Sequence, residues 1–149
     1  MTENSGRIVV GIDGSPASKA ALEWALDEAR LRGATLEIVH AWQYPVMAMS
    51  PFGAAPVPVI SAEDLEQAAE GVARDTVAEV VGNQDVVQVR TAVTSGHPAA
   101  VLLAASKGAD LLVVGSRGHG GFTGMLLGSV SNHLVHHATC PVVIIRATT

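Results

Sequence analysis

Gly115, Gly118, Gly128 and Ser129 stand in the pattern G-x-x-G, nine residues, then G-S, inside the run GSRGHGGFTGMLLGSVS. Glycine carries no Cβ, so its backbone can turn tightly and come close to a ligand. The run follows the strand-like block Asp110-Leu-Leu-Val-Val114 and enters a helix at Gly128-Ser129. A loop of free N–H groups followed by a helix N-terminus is the layout of an anion cradle. The anion such a cradle suits is a phosphate, and nucleotide binding is the leading expectation.

A second glycine-containing turn, Gly11-Ile12-Asp13-Gly14-Ser15, closes the first apolar block of the chain. If the third strand lies on one side of the first and the fourth on the other, strand order reverses between the first and fourth. Ligands of open α/β sheets bind in the crevice outside the strand ends at such a point, where both turns fall. No G-x-x-x-x-G-K-[ST] occurs, and the glycine run has no lysine, which excludes a Walker-type P-loop. The first turn does not read G-x-G-x-x-G, so the dinucleotide fingerprint is absent too.

The elements that must position these turns follow from local patterns. Arg7 to Ile12 reads as a strand stopped by Asp-Gly-Ser-Pro, with a helix beginning just after Pro16. Leu22, Ala25, Leu26 and Ala29 recur at helical spacing up to Arg32, and Leu36 to Trp42 reads as the second strand. Leu65, Ala69, Val72, Thr76 and Val80 mark one face of a second helix ended by Gly82-Asn83. Val86 to Val93 alternates as a third strand, Pro98 to Lys107 is a short helix, and Asp110 to Val114 is the fourth strand. Ser129 to Ala138 forms the last helix and residues 142–146 the fifth strand. Alternation without a hairpin signal predicts a parallel sheet with right-handed crossovers and helices on both faces, as one domain over residues 1–149. Residues 43–60 carry four prolines and no charge, and read as a flexible loop: a lid, a partner contact or a disordered insertion.

Composition sets bounds on the class. Hydrophobic residues make up 48% and aromatic ones 3%, so the core is built of small aliphatics that suit a sheet covered on both faces. The net charge is −5 and no window is rich in Lys or Arg, which argues against nucleic acid as a partner. No unbroken apolar stretch reaches the roughly 20 residues that span a bilayer, and the start MTENSGR lacks an apolar leader, so a cytoplasmic location is expected. The single cysteine, Cys140, excludes an intramolecular disulfide and reads as a buried thiol.

Taken together, the glycine pattern, the opening IVVGIDGS and the closing CPVVII resemble the universal stress protein family, in its ATP-binding branch. The resemblance covers Arg7 to Arg146 and implies a Rossmann-like domain, its five parallel strands in the order 3-2-1-4-5. It also implies ATP across the first and fourth strand ends, stress or dormancy physiology, and often a homodimer. On that resemblance Gly11, Ile12, Asp13 and Ser15 would line the nucleotide from the first turn, Asp13 facing the ribose or a magnesium-phosphate group. Ala41 would offer backbone groups to the adenine. Gly115, Arg117 and Gly118 would approach the ribose and phosphates, and Gly128, Ser129, Val130 and Ser131 would hold the phosphates at the helix start.

Elementary electrostatics is compatible with that assignment. Arg117 is the one basic residue of the glycine run apart from His119, so the rest of the charge balance falls to N–H groups, hydroxyls and Mg²⁺. One helix N-terminus supplies about half a positive charge. Mg²⁺ takes one or two carboxylates plus phosphate oxygens, and Asp13 is the candidate. Asp13 would serve equally in an Asx-turn or N-cap, Arg117 as a solvated loop charge, and Ser129 as an N-cap.

His133 and His137 lie four apart on one helix face, a spacing that can bind zinc, yet no third ligand follows at convincing spacing. They read as helix surface or an interface. His40 reads as a hydrogen-bonded core histidine, and His97 has no evident partner. No Ser-His-Asp or Cys-His relay assembles. The function expected is a nucleotide-responsive regulator; the alternatives are a slow ATPase or a nucleotide-independent interaction module, and cyclic AMP is not separable from ATP. The uncharged strand Val142-Val-Ile-Ile145, at a sheet edge in the implied order, predicts a homodimer through that edge.

Overall fold

In the computed structural model, residues 6–44, 61–117 and 127–147 are described. They alternate as β1 (Arg7–Ile12), α1 (Pro16–Arg32), β2 (Thr35–Trp42), α2 (Ala62–Val80), β3 (Val89–Ser95), α3 (Pro98–Ala105), β4 (Leu111–Gly115), α4 (Ser129–His137) and β5 (Val142–Ile145). The strands form one parallel sheet in the order β3-β2-β1-β4-β5. That is the order implied by the resemblance, with the reversal between β1 and β4.

Pleat alternation divides the core into two layers. Ile8, Val10 and Ile12 of β1 pack with Leu22 and Leu26 of α1 and Ala73 of α2. Val9 of the same strand packs with Leu102 of α3 and Leu134 of α4 on the opposite face. A central parallel strand is covered twice, which is why β1 is an unbroken apolar run. Each fully buried Leu or Ile contributes roughly 1.5–3 kcal/mol of transfer free energy.

Several boundaries differ from the sequence expectation, each for a local reason. Pro16 is the first residue of α1 rather than its forerunner, since its ring fixes a helical φ and needs no N–H there. The Ser61 hydroxyl accepts from Asp64 N at 3.0 Å, so α2 starts at Ala62. Its inward face is Ala69, Ala73 and Thr76; Val72 points out and is 37% exposed. The alternation at Val86 is not strand: the Gln84 amide oxygen accepts from Val86 N and Val87 N, holding a side-chain-built turn, and β3 begins at Val89. The helix α3 stops at Ala105, α4 at His137 and β5 at Ile145, so Arg146 lies beyond the strand. Of the proline-rich stretch 43–60, Gln43 and Tyr44 are exposed and the remainder lies outside the described residues.

Candidate functional site at the parting of two strands

The two central strands separate before they end. Pairing between β1 and β4 stops at Val10↔Val113. Beyond it β1 continues to Ile12 beside His40 of β2, while β4 continues to Gly115 beside Ile145 of β5. A crevice therefore opens between Gly11-Ile12 and Val114-Gly115, on the side where the βα turns emerge.

One wall is the turn into α1. Asp13 Oδ1 accepts from Ser15 N at 2.9 Å, an Asx-turn, and Gly14 follows with φ of 82°, the left-handed region that favours glycine. Ser15 is the N-cap of α1: it is buried, and its hydroxyl accepts from Ser18 N at 3.2 Å. The Ser18 hydroxyl in turn accepts from Asp13 N at 3.2 Å and donates to Ser15 O at 3.0 Å. The sequence reading missed Ser18, although a serine three residues after an N-cap serine can serve that turn.

The other wall is the end of β4 and the start of α4. Ser116 N donates to Ile145 O at 2.8 Å and Ser116 O accepts from Gly128 N at 2.6 Å, so the strand end grips the helix start directly. The buried Ser131 hydroxyl donates to Gly115 O at 2.6 Å, a second tether. Gly128, not Ser129, is the N-cap residue, and Ser129 is the first helical residue, with its side chain exposed. The α-helical ladder of α4 starts with Asn132 N donating to Gly128 O at 2.9 Å, which leaves the N–H groups of Ser129, Val130 and Ser131 outside it. The helices α1, α2 and α3 are each capped by a side chain; α4 has no side-chain cap hydrogen bond among the described residues.

The floor carries Ala41. Pairing of β1 with β2 ends at His40, whereas β2 and β3 stay paired to Trp42. The flank of Ala41 that faces β1 is thus outside that ladder. His40 is buried, with Nδ1 2.9 Å from Ile12 O, so this nitrogen is the protonated donor to the carbonyl.

Two glycines at the crevice have packing reasons. A Cβ on Gly115 would stand 2.8–2.9 Å from the Cβ, carbonyl carbon and oxygen of Ala17, so the close approach of α1 to β4 requires glycine there. Gly11 is buried, and a Cβ on it would meet Leu102 at 2.8 Å. Arg117 is exposed at the rim, and Gly118 lies outside the described residues. His97, which had no evident partner in the sequence, caps α3: its Nδ1 accepts from Ala99 N at 3.2 Å. Cys140 is half-buried against the α3–α4 layer. The crevice thus combines N–H donors, a helix start and one carboxylate at its mouth, an arrangement fitted to hold a polyanion by dipoles more than by fixed cations.

Residues 4–146 match the model of the universal stress protein family. A universal stress protein of Mycolicibacterium smegmatis is 40% identical over 139 residues, covering 93% of this chain and 45% of that protein. The chain therefore spans less than half the length of that relative. Universal stress protein UspA from Lactobacillus plantarum superposes with a TM-score of 0.74 at 22% identity, over 97% of this chain and 100% of the other. A universal stress protein solved in complex with cAMP superposes with a TM-score of 0.70 at 24% identity, over 96% and 98% of the two chains. No helix among the described residues is long and apolar enough to cross a membrane.

Proposed function

This chain belongs to the universal stress protein family, and on that premise we propose that it binds ATP in the crevice between β1 and β4 and acts as a nucleotide-responsive regulator in stress or dormancy. The observation that carries the proposal is the start of α4, pinned to β4 through Gly128 and Ser131 while no described side chain caps it. A helix start left with N–H groups outside its own ladder, at the point where strand order reverses, favours phosphate by hydrogen bonding and by the helix dipole together. A neighbour of the same fold is a complex with cAMP, which supports an adenine nucleotide as the ligand class.

In this arrangement the N–H groups of Ser129, Val130 and Ser131 take the phosphates, Arg117 and, on the resemblance, Gly118 are assigned to the same end, and the exposed Ser129 hydroxyl adds a donor. Gly11, Ile12 and Gly115 shape the floor, Ala41 offers its backbone to the base, and Asp13 meets the ribose or Mg²⁺. The donor set fits Mg²⁺ in the sense that Asp13 is a carboxylate at the mouth of the crevice; the ion would neutralise phosphate charge. Ser15 contributes indirectly, by fixing the turn that presents Asp13. Hydrolysis would require a base near the γ-phosphate, and His40 commits Nδ1 to Ile12 O.

The homodimer belongs to the same proposal. Strand β5 is an edge of uncharged β-branched residues, half-buried within the single chain, and an antiparallel pair of such edges would satisfy its outward N–H and C=O groups.

Mass measurement of the gently denatured purified protein, followed by calorimetry with ATP, cAMP and adenosine, tests the function. Co-purified adenine nucleotide, or ATP binding tighter than adenosine, is the expected result. No binding of any of the three to the folded protein would overturn it and leave a nucleotide-independent interaction module.

A further inference from the structure

The outer face of α4 carries histidines that the nucleotide crevice does not use. His133, His136 and His137 are all exposed. The rings of His133 and His137 lie against each other, centroids 4.4 Å apart and planes inclined by 36°. We propose that His133 and His137 form a two-imidazole chelate for a divalent transition-metal ion of the zinc, nickel and copper class.

The argument rests on reach, chemistry and field. Metal–imidazole bonds of about 2.0–2.1 Å require the two ligating nitrogens to lie within roughly 4 Å of each other. Rings already this close converge by small side-chain rotations, without bending the helix. The i,i+4 spacing is the one by which the H-E-x-x-H motif places two zinc-binding histidines on one helix face. Imidazole is a favoured ligand for zinc, nickel and copper, which separates this pair from the oxygen-lined setting that Mg²⁺ prefers. His137 closes the last turn of α4, where the C-terminal end of the helix dipole favours a cation.

No group of three or more His, Cys, Asp and Glu side chains that could hold a metal gathers among the described residues. The chelate is therefore open, with water completing the shell, and the ion exchanges readily; a closed structural zinc site would need four protein ligands. His136 makes no ring contact with either histidine among the described residues and serves as the internal control.

The test is calorimetric titration of untagged, nucleotide-free protein with NiCl₂ and ZnCl₂, together with thermal unfolding in each metal. Wild type should bind one ion per chain and unfold at higher temperature when metal is present, because the ion binds the folded helix selectively. His133→Ala and His137→Ala should each lower metal affinity tenfold or more and abolish the thermal shift, while His136→Ala retains both. Should His133→Ala fail to fold, His133→Gln carries the same comparison. Unchanged affinity in the His133 and His137 variants, or an equal loss in His136→Ala, would overturn the proposal. Because no nucleotide is present, the outcome is independent of the ATP assignment.

Discussion

The hydroxyl of Ser131 and the carbonyl of Gly115 are joined by a 2.6 Å hydrogen bond, which fastens the first turn of α4 to the last residue of β4. The first and last residues of the glycine-rich run are thereby locked together, and the helix start is aimed by the strand. Ser131→Ala removes this tether while leaving the N–H of residue 131 in place. Stability should fall by about 1 kcal/mol, the usual net contribution of one hydrogen bond. Affinity for ATP should fall more than affinity for adenosine, as measured by calorimetry. Equal changes for both ligands would show that the tether does not position phosphate donors.

At the opposite wall, Asp13→Asn separates the turn from the charge. Asparagine keeps the side-chain oxygen that accepts from Ser15 N, so the Asx-turn and α1 survive. With Mg²⁺ present, ATP affinity should drop at least tenfold, about 1.4 kcal/mol, while adenosine binding changes little. A folded Asp13→Asn protein with wild-type ATP affinity would remove Asp13 from the site and leave it a turn residue.

Gly128→Asp should move stability and affinity in opposite directions. Gly128 has φ of −71° and ψ of 169°, extended backbone open to any residue. Aspartate is a good N-cap, and over glycine it gains a few tenths of a kcal/mol by accepting from the N–H groups of the first turn. Those are the donors assigned to phosphate, and the added charge repels it. Thermal unfolding at or slightly above the wild-type temperature, with a tenfold or larger loss of ATP affinity, is the expected pair of results. Undiminished ATP binding would mean that the phosphates lie elsewhere.

For the dimer, the bonding pattern of β5 selects the substitution. Leu112 N donates to Pro141 O and Ser116 N donates to Ile145 O, so residues 141 and 145 face β4. In a regular strand the backbone groups of Val142 and Ile144 then face the free edge. Ile144→Pro deletes an edge N–H without touching the β4 ladder, which proline tolerates on edge strands. Sedimentation should show a dimer for wild type and a monomer for the variant. A wild-type protein sedimenting at 15.3 kDa would exclude pairing through this edge.

Much of this architecture was legible because its signals are local. Apolar runs, Pro16 behind Ser15, and the glycine pattern from Gly115 to Gly128 mark elements by short-range chemistry. What stayed hidden depends on contacts distant in sequence. Gly115 reads as a ligand-facing glycine, yet its position is already required by Ala17. Ser131 reads as a phosphate ligand, yet its hydroxyl turns inward to Gly115. His97 is an uncommon cap, so its bond to Ala99 N left no familiar signature. At Val86 the alternation was genuine, but Gln84 supplied bonds that a strand partner would otherwise have given.

The parting of β1 from β4 beyond Val10 and Val113 would also tie the proposed ligand binding to the folding of the chain. One lip comes from the first strand and the other from the fourth, so the crevice does not exist until that long loop has closed. No fragment ending before β4 can form it, and a partly folded chain offers a ligand only one lip. Whatever occupies the crevice consequently binds native molecules almost exclusively. At a hundredfold excess over its dissociation constant it adds about 2.7 kcal/mol to global stability. Were the proposed nucleotide bound there, its supply and the population of folded protein would become a single variable.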